Sequence, residues 1–160
     1  MEKSEIIYSE EEKAAFAEEK NTLYRELLGR MSPADLSDDV KTTLETLRKT
    51  DLKLAVGSSS KNTPYILERI GLRDFFDAVS DGNCITRSKP DPEVFLKAAG
   101  MLGFLPHDCL VVEDAVSGAE AGHAAGMKVA CVGDAARHGA GDWNLTSFRE
   151  LEDVVNGKNA

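Results

Sequence analysis

The sequence predicts an α/β chain, a three-layer core with a parallel sheet covered on both faces by helices, preceded by a separate helical piece. Three observations carry this. From residue 52 onward, short apolar runs alternate with helical patterns, as parallel strands joined by crossover helices do. Two of the runs end in polar clusters, Ser58-Ser59-Ser60 and Glu113-Asp114, where open parallel sheets hold their ligands. Residues 1–35 show helix signals only, so we expect a helical segment over 1–35 and an α/β core over 36–160.

The elements follow in order. Ser9 with Glu12 forms a capping box for a helix over 9–30, with Phe16, Leu23, Leu27 and Met31 on one stripe. Pro33 ends it, because proline disfavours a helical residue before it. Ser37 caps a second helix in which Val40, Leu44 and Leu47 repeat at helical spacing. Leu52–Val56 is the first strand, and a helix over 64–70 closes at Gly71, a position glycine favours. Phe76–Ser80 is another strand. Asp91-Pro92-Glu93 opens a helix to about Leu102, with a cap, a proline and an acidic first turn. Cys109–Val112 and Met127–Val132 are further strands around a small-residue helix over 116–125, and a last helix spans 147–155. Gly118, Gly122 and Gly126 read as close helix packing rather than a phosphate loop, and Trp143 reads as a packing residue in a Gly-rich loop.

Composition narrows the function. A net charge of −9 argues against unaided nucleic-acid binding, which needs a basic footprint. No apolar run approaches the ~20 residues that span a bilayer, so no membrane partner is expected. The acidic N-terminus does not resemble a signal peptide. Three widely spaced cysteines suggest no disulfide framework or metal motif, and reduced thiols in a cytoplasm are the expectation.

Chemistry concentrates at three places. Ser58 to Asn62 lie between a strand and a helix, where hydroxyls and free N–H groups suit a phosphate, though serines also cap helices there. Lys89 sits in Ser88-Lys89-Pro90-Asp91-Pro92. A stiffly held ammonium neutralises an anionic intermediate, though a charged turn before a helix is ordinary. Glu113 and Asp114 end a buried strand, where paired carboxylates are costly unless something binds them. A hard cation such as Mg²⁺ is the natural partner, and helix capping by Asp114 is the alternative. Serine, lysine and acidic pair in that order are far rarer together than any one alone.

These residues carry a resemblance. Leu54-Ala55-Val56-Gly57-Ser58, Lys89-Pro90-Asp91-Pro92, Val111 to Gly118 and Ala124-Ala125-Gly126-Met127 resemble the haloacid dehalogenase superfamily. Ser59 to Asn62, Leu67-Glu68-Arg69, Phe75 to Ala78, Lys20-Asn21 and Ser32 to Asp35 are similar to its β-phosphoglucomutase-like branch. The resemblance implies that Ser58 and Lys89 hold the transferring phosphoryl group. It implies that Glu113 and Asp114 complete a Mg²⁺ shell. Ser59 is placed with Ser60, Lys61 and Asn62 on the substrate side, where they handle a sugar phosphate's other phosphate, and Lys20 reaches in from a mobile cap. The reaction implied for the full-length family converts β-glucose 1-phosphate to glucose 6-phosphate through an aspartyl-phosphate. Within the superfamily the alternative is a sugar-phosphate phosphatase; outside enzymes it is a non-catalytic phosphate- or metal-binding remnant.

One departure is large. The family opens with a strand ending in Asp-x-Asp, the nucleophile and the acid/base. No such run exists here: Asp38-Asp39 lies at a helix start, Asp81 precedes Gly82-Asn83, and Asp134 precedes Ala135-Ala136. The chain therefore reads as an N-terminally truncated portion, inactive alone and weak for Mg²⁺. The missing strand is the central one of the family's sheet. Direct closure of the sheet, a swapped second copy, the missing N-terminal half as a separate chain, or the run Ile6-Ile7-Tyr8 are the candidates to fill the gap.

Overall fold

A computed structural model of the chain describes residues 9–158. Helix α1 covers Glu10–Leu28, and its first turn is closed by the expected capping box. Ser9 N–H donates to Glu12 Oε2 at 2.8 Å, and Glu12 N–H donates to Ser9 Oγ at 3.1 Å. The expected stripe is not a buried face. Phe16, Leu23 and Leu27 are each more than half exposed, and only Leu28 is buried in this helix. The apolar residues keep the helical spacing, but the spacing alone does not say whether that face is covered. The C-terminal end of α1 does dock, on helix α3 (Thr63–Arg69). Arg69 donates to the carbonyls of Met31 and Gly29, and Arg25 lies over the Tyr65 ring.

Helix α2 (Asp38–Arg48) begins at Ser37, whose Oγ accepts the Val40 N–H at 3.3 Å. Four more helices follow: α4 (Glu93–Leu102), α5 (Val116–Ala124), α6 (Gly133–Arg137) and α7 (Leu151–Val155). The strands are β1 (Ala55–Gly57), β2 (Ala78–Ser80), β3 (Leu110–Glu113), β4 (Lys128–Cys131) and β5 (Trp143–Asn144). Every strand pair is parallel. Both α6 and β5 went unread in the sequence because they are too short to show a period, and Trp143 belongs to a strand rather than a loop.

The strands form two separate sheets among the described residues, β1-β2 and β3-β4-β5. Direct closure, one expected way to fill the missing central strand, is therefore not what the structure shows: β1 and β3 do not pair. The run Ile6-Ile7-Tyr8 lies outside the described residues. Two clusters flank the strands. One gathers Val94 and Phe95 of α4, Val111, Val129 and Cys131 of the sheet, and Ala119 and Ala121 of α5. The other gathers Leu47, Ala130, Leu145, Leu151 and Val154, with Leu54, Leu110 and Val112 packed against it. The layers are thus helix, sheet, helix, as the apolar runs required. No described helix is long and apolar enough to cross a membrane.

Candidate functional site

The serine segment leaves β1 at a fixed point, because Ser58 N–H donates to the Ser80 carbonyl at 2.9 Å. Ser58 Oγ lies 2.8 Å from Thr63 Oγ1, and Thr63 Oγ1 lies 2.8 Å from the Ser60 carbonyl. A hydroxyl has one hydrogen and a carbonyl only accepts. Thr63 therefore donates to Ser60, and Ser58 donates to Thr63. Ser58 Oγ also accepts the Ser60 N–H at 3.2 Å. Ser60 Oγ in turn accepts the Asn62 N–H at 3.1 Å. Thr63 is buried at the start of α3. Its hydroxyl fixes both serines, and sequence reasoning missed it because a threonine before a proline reads only as a helix start.

A second loop braces the first. Gly82 N–H donates to the Ser60 carbonyl at 3.1 Å, and Asn83 Nδ2 donates to the Lys61 carbonyl at 3.1 Å. A Cβ on Gly82 would lie 2.5 Å from the Ser59 carbonyl oxygen, so only glycine allows this backbone approach. The Lys61 side chain is exposed. From α1 it is Asn21, not Lys20, that meets the loop: Asn62 Nδ2 donates to Asn21 Oδ1 at 3.3 Å. Lys20 itself is exposed.

Lys89 joins the serine loop to the acidic pair. Its N–H donates to Ser59 Oγ at 3.4 Å, and its Nζ lies 2.9 Å from Glu113 Oε1. The two side chains are 16% and 11% exposed, so solvent screens their attraction only partly. Lys89 Nζ also stands 4.7 Å from the centre of the Phe95 ring, an arrangement that favours a cation. The same ring lies under the end of β1, where a Cβ on Gly57 would come 2.7 Å from it.

Glu93 holds the loop that presents Lys89. Its carboxylate accepts the N–H groups of Thr86 and Arg87, at 3.1 Å and 2.8 Å to Oε2, and pairs with Lys97 at 3.0 Å. The Lys97 hydrogen bond, then the Arg87 N–H, pull the Glu93 carboxyl down to about 2. Asp91, the expected cap, accepts the Glu93 N–H at 3.0 Å. The sequence shows Glu93 only as first-turn acidity; its reach back over seven residues is a tertiary fact.

Glu113 occupies a niche that glycine leaves open. A Cβ on Gly118 would sit 1.8 Å from Glu113 Oε2, and one on Gly122 would sit 2.8 Å from Val129. Both glycines therefore serve close packing, as the sequence suggested. Asp114 is exposed, and its carbonyl accepts the Ala135 N–H at 2.8 Å. Cys131, beside Glu113 in the sheet, is held as a thiol: burial first, then the Glu113 charge, push it up. Glu113 and Asp114 offer hard oxygen donors of the kind Mg²⁺ takes. They fit it only in part. Among the described residues no group of three or more His, Cys, Asp or Glu converges, and Glu113 is already paired with Lys89.

Comparison with known proteins identifies the family. The chain is 38% identical over 130 residues to the beta-phosphoglucomutase of Bacillus subtilis (strain 168), covering 81% of this chain and 58% of that protein. It is 37% identical over 114 residues to the fructose-1-phosphate phosphatase YqaB of Escherichia coli (strain K12), covering 71% and 59%. The fold superposes on the crystal structure of beta-phosphoglucomutase (pgmB) from Clostridium difficile with a TM-score of 0.87 and 31% identity, covering 94% of this chain and 68% of that one. The chain thus spans less than two thirds of the length of the curated relatives it matches. The family model of haloacid dehalogenase-like hydrolases matches residues 2–132, the stretch that holds the serine loop, Lys89 and the acidic pair. The chain belongs to the haloacid dehalogenase-like hydrolases and is beta-phosphoglucomutase-like among them.

Proposed function

We propose that this chain supplies the phosphate- and cation-holding portion of a Mg²⁺-dependent phosphotransfer enzyme acting on sugar phosphates. The convergence of Ser59, Lys89 and Glu113 through contacts of 3.4 Å and 2.9 Å supports it most directly. Phosphoryl transfer needs positioning and charge neutralisation more than elaborate covalent chemistry. Lys89 and the Ser58 hydroxyl engage the transferring phosphoryl group. To do so, Ser58 turns its hydrogen from Thr63 to a phosphate oxygen, while the Ser60 N–H keeps the oxygen in place. Glu113 and Asp114 hold the Mg²⁺, which supplies charge neutralisation when bound.

Ser59, Ser60, Lys61 and Asn62 face the sugar-phosphate substrate, with Lys20 approaching from the helical segment 1–35. A second phosphate-handling segment suits a mutase, which needs a second phosphate site. The reaction of the complete enzyme is therefore β-glucose 1-phosphate to glucose 6-phosphate. This chain, with no Asp-x-Asp after an apolar run, does not turn it over: loss of a covalent nucleophile costs on the order of 10⁶ in rate in an unrelated enzyme.

Titration of the chain with β-glucose 1-phosphate and Mg²⁺, followed by ³¹P NMR, tests this. Broadening or shift of the phosphate resonance that is lost in Lys89→Ala and Ser58→Ala, with no new resonance appearing, is the expected outcome. Turnover by the pure chain overturns the inactivity. Absence of any phosphate interaction overturns the site.

A further inference from the structure

Lys89 stands on a segment between β2 and α4 that has no helix or strand of its own. Where its ammonium can reach therefore depends on what pins that segment. The pin is Glu93, in the first turn of α4, with a side chain only 13% exposed. Its carboxylate reaches back seven residues and accepts the Thr86 N–H, at 3.2 Å to Oε1 and 3.1 Å to Oε2. Oε2 also accepts the Thr86 hydroxyl at 3.1 Å and the Arg87 N–H at 2.8 Å. Among the described residues these two N–H groups have no other acceptor. A buried or half-buried backbone N–H needs one, so the carboxylate stands in for the partners a strand or helix would supply.

Other contacts close the same loop. Lys97, one turn further along α4, pairs with Glu93 at 3.0 Å and donates to the Cys84 carbonyl. Asp91 N–H donates to the Ser88 carbonyl at 3.1 Å, and Asp91 pairs with Arg87 at 3.3 Å. Lys89 lies inside this ring, tied at Thr86 and Arg87 on one side and at the start of α4 on the other. The remaining tie to its backbone, from Lys89 N–H to Ser59 Oγ, is a long one at 3.4 Å. Its side chain extends over Phe95, 4.7 Å from the ring centre. Phe95 is two residues from Glu93 on the same helix. One turn of α4 thus fixes the loop that carries Lys89 and receives its ammonium.

We infer that Glu93 is the positioning residue for Lys89: it touches neither the ammonium nor a bound phosphate, and it sets where that ammonium can reach by fixing the backbone from which the side chain extends. A site group must stay within about 0.5 Å of its working place to be effective, and a loop without hydrogen-bonded structure of its own does not hold a residue that closely. The consequence for phosphate rests on the reading that Lys89 holds the phosphoryl group; the positioning itself does not. A carboxylate that served only the stability of the loop would leave phosphate affinity unchanged in molecules that remain folded.

Two substitutions of similar length test this. Glu93→Gln keeps an oxygen that accepts N–H groups; Glu93→Met accepts none. The first readout needs no ligand. The Lys89 Cε protons, beside an ammonium held over a ring face, resonate upfield. That shift should survive in Glu93→Gln and collapse in Glu93→Met. The second readout is titration with inorganic phosphate followed by ³¹P NMR. Glu93→Met should raise Kd about 10-fold and Glu93→Gln by less than about 3-fold, within the range that residues of one hydrogen-bond network show. In Lys89→Ala the further change to Glu93→Met should add nothing, because the residue it acts through is gone. If Glu93→Met does not fold, Glu93→Ala takes its place. An upfield shift that stays intact in Glu93→Met overturns the inference, as does an unchanged phosphate Kd in that variant or an equal loss in both variants. A shift that collapses in Glu93→Met, in a parent chain that binds no phosphate, supports the positioning and overturns the phosphate reading of the site instead.

Discussion

Lys89 Nζ and Glu113 Oε1 meet at 2.9 Å, both largely shielded from water, so the residue that should hold phosphate and one that should hold a cation neutralise each other. Phe95 lies beneath the ammonium and Gly118 leaves room beside the carboxylate. Lys89→Met strands the Glu113 charge. With the pair between the exposed and the fully buried limits, the loss should be about 1–3 kcal/mol, read from urea midpoints. The double variant Lys89→Met/Glu113→Gln strands no charge and should recover most of it. Calorimetric titration should show Mg²⁺ binding the acidic pair more tightly in Lys89→Met, since Glu113 Oε1 is then released from its ammonium partner.

Gly118→Ala tests the carboxylate's niche. Alanine normally improves a helix interior over glycine by about 1 kcal/mol. Here its Cβ would stand 1.8 Å from Glu113 Oε2, so Glu113 must leave. Overpacking costs about 1–3 kcal/mol, and the sign should reverse to net destabilisation. Gly100→Ala, also within a helix and with nothing within 4 Å of the added Cβ, serves as the control and should be neutral or stabilising.

Acid should weaken the chain through two carboxylates. Glu93 is held down to about 2, chiefly by Lys97 and the Arg87 N–H. Asp142 is held down to about 2, chiefly by Lys128, with Val129 N–H and His123 adding to it. Ordinary values are 4.5 and 3.8. Both folded values lie below the unfolded ones, so their stabilisation is complete above about 4.5 and is lost as pH falls toward 2. Urea midpoints should fall across that window, and Glu93→Gln and Asp142→Asn should each flatten the fall. A midpoint as steep in both variants as in the parent chain would remove these carboxylates as its cause.

The exposed face of α1 gives a contrast between two leucines. Leu28 is 7% exposed and Leu23 is 57% exposed. Leu28→Ala should cost about 2–5 kcal/mol, as buried leucines do. Leu23→Ala should stay within about 0.5 kcal/mol. Thermal melts of both variants check this. An equal loss at both positions would mean that the stripe is covered after all.

How much was legible beforehand follows from range. Ser9, Ser37 and Asp91 announced their helix starts because a cap bonds within three residues. The runs at 52–56 and 109–112 announced strands because both faces of a covered parallel strand are apolar. Ser58, Lys89, Glu113 and Asp114 could be marked as one site because strand ends gather ligands. Thr63, Gly82 and Glu93 could not, because their roles rest on hydroxyls, a close backbone approach and a carboxylate reaching across a loop. The stripe of α1 had a helix's period but no sequence signal could say whether anything covers it.

By itself, then, the sequence determined the α/β class, the order of its main elements and the identity of the polar residues at the strand ends, since these depend on local periodicity and residue chemistry. Only the tertiary structure decided that Lys89 pairs with Glu113, that Asn21 rather than Lys20 touches the serine loop, and that among the described residues β1 and β3 belong to separate sheets. Those outcomes depend on which distant side chains and strand edges come within about 3 Å of one another, and residues far apart in the chain carry no spacing that encodes it.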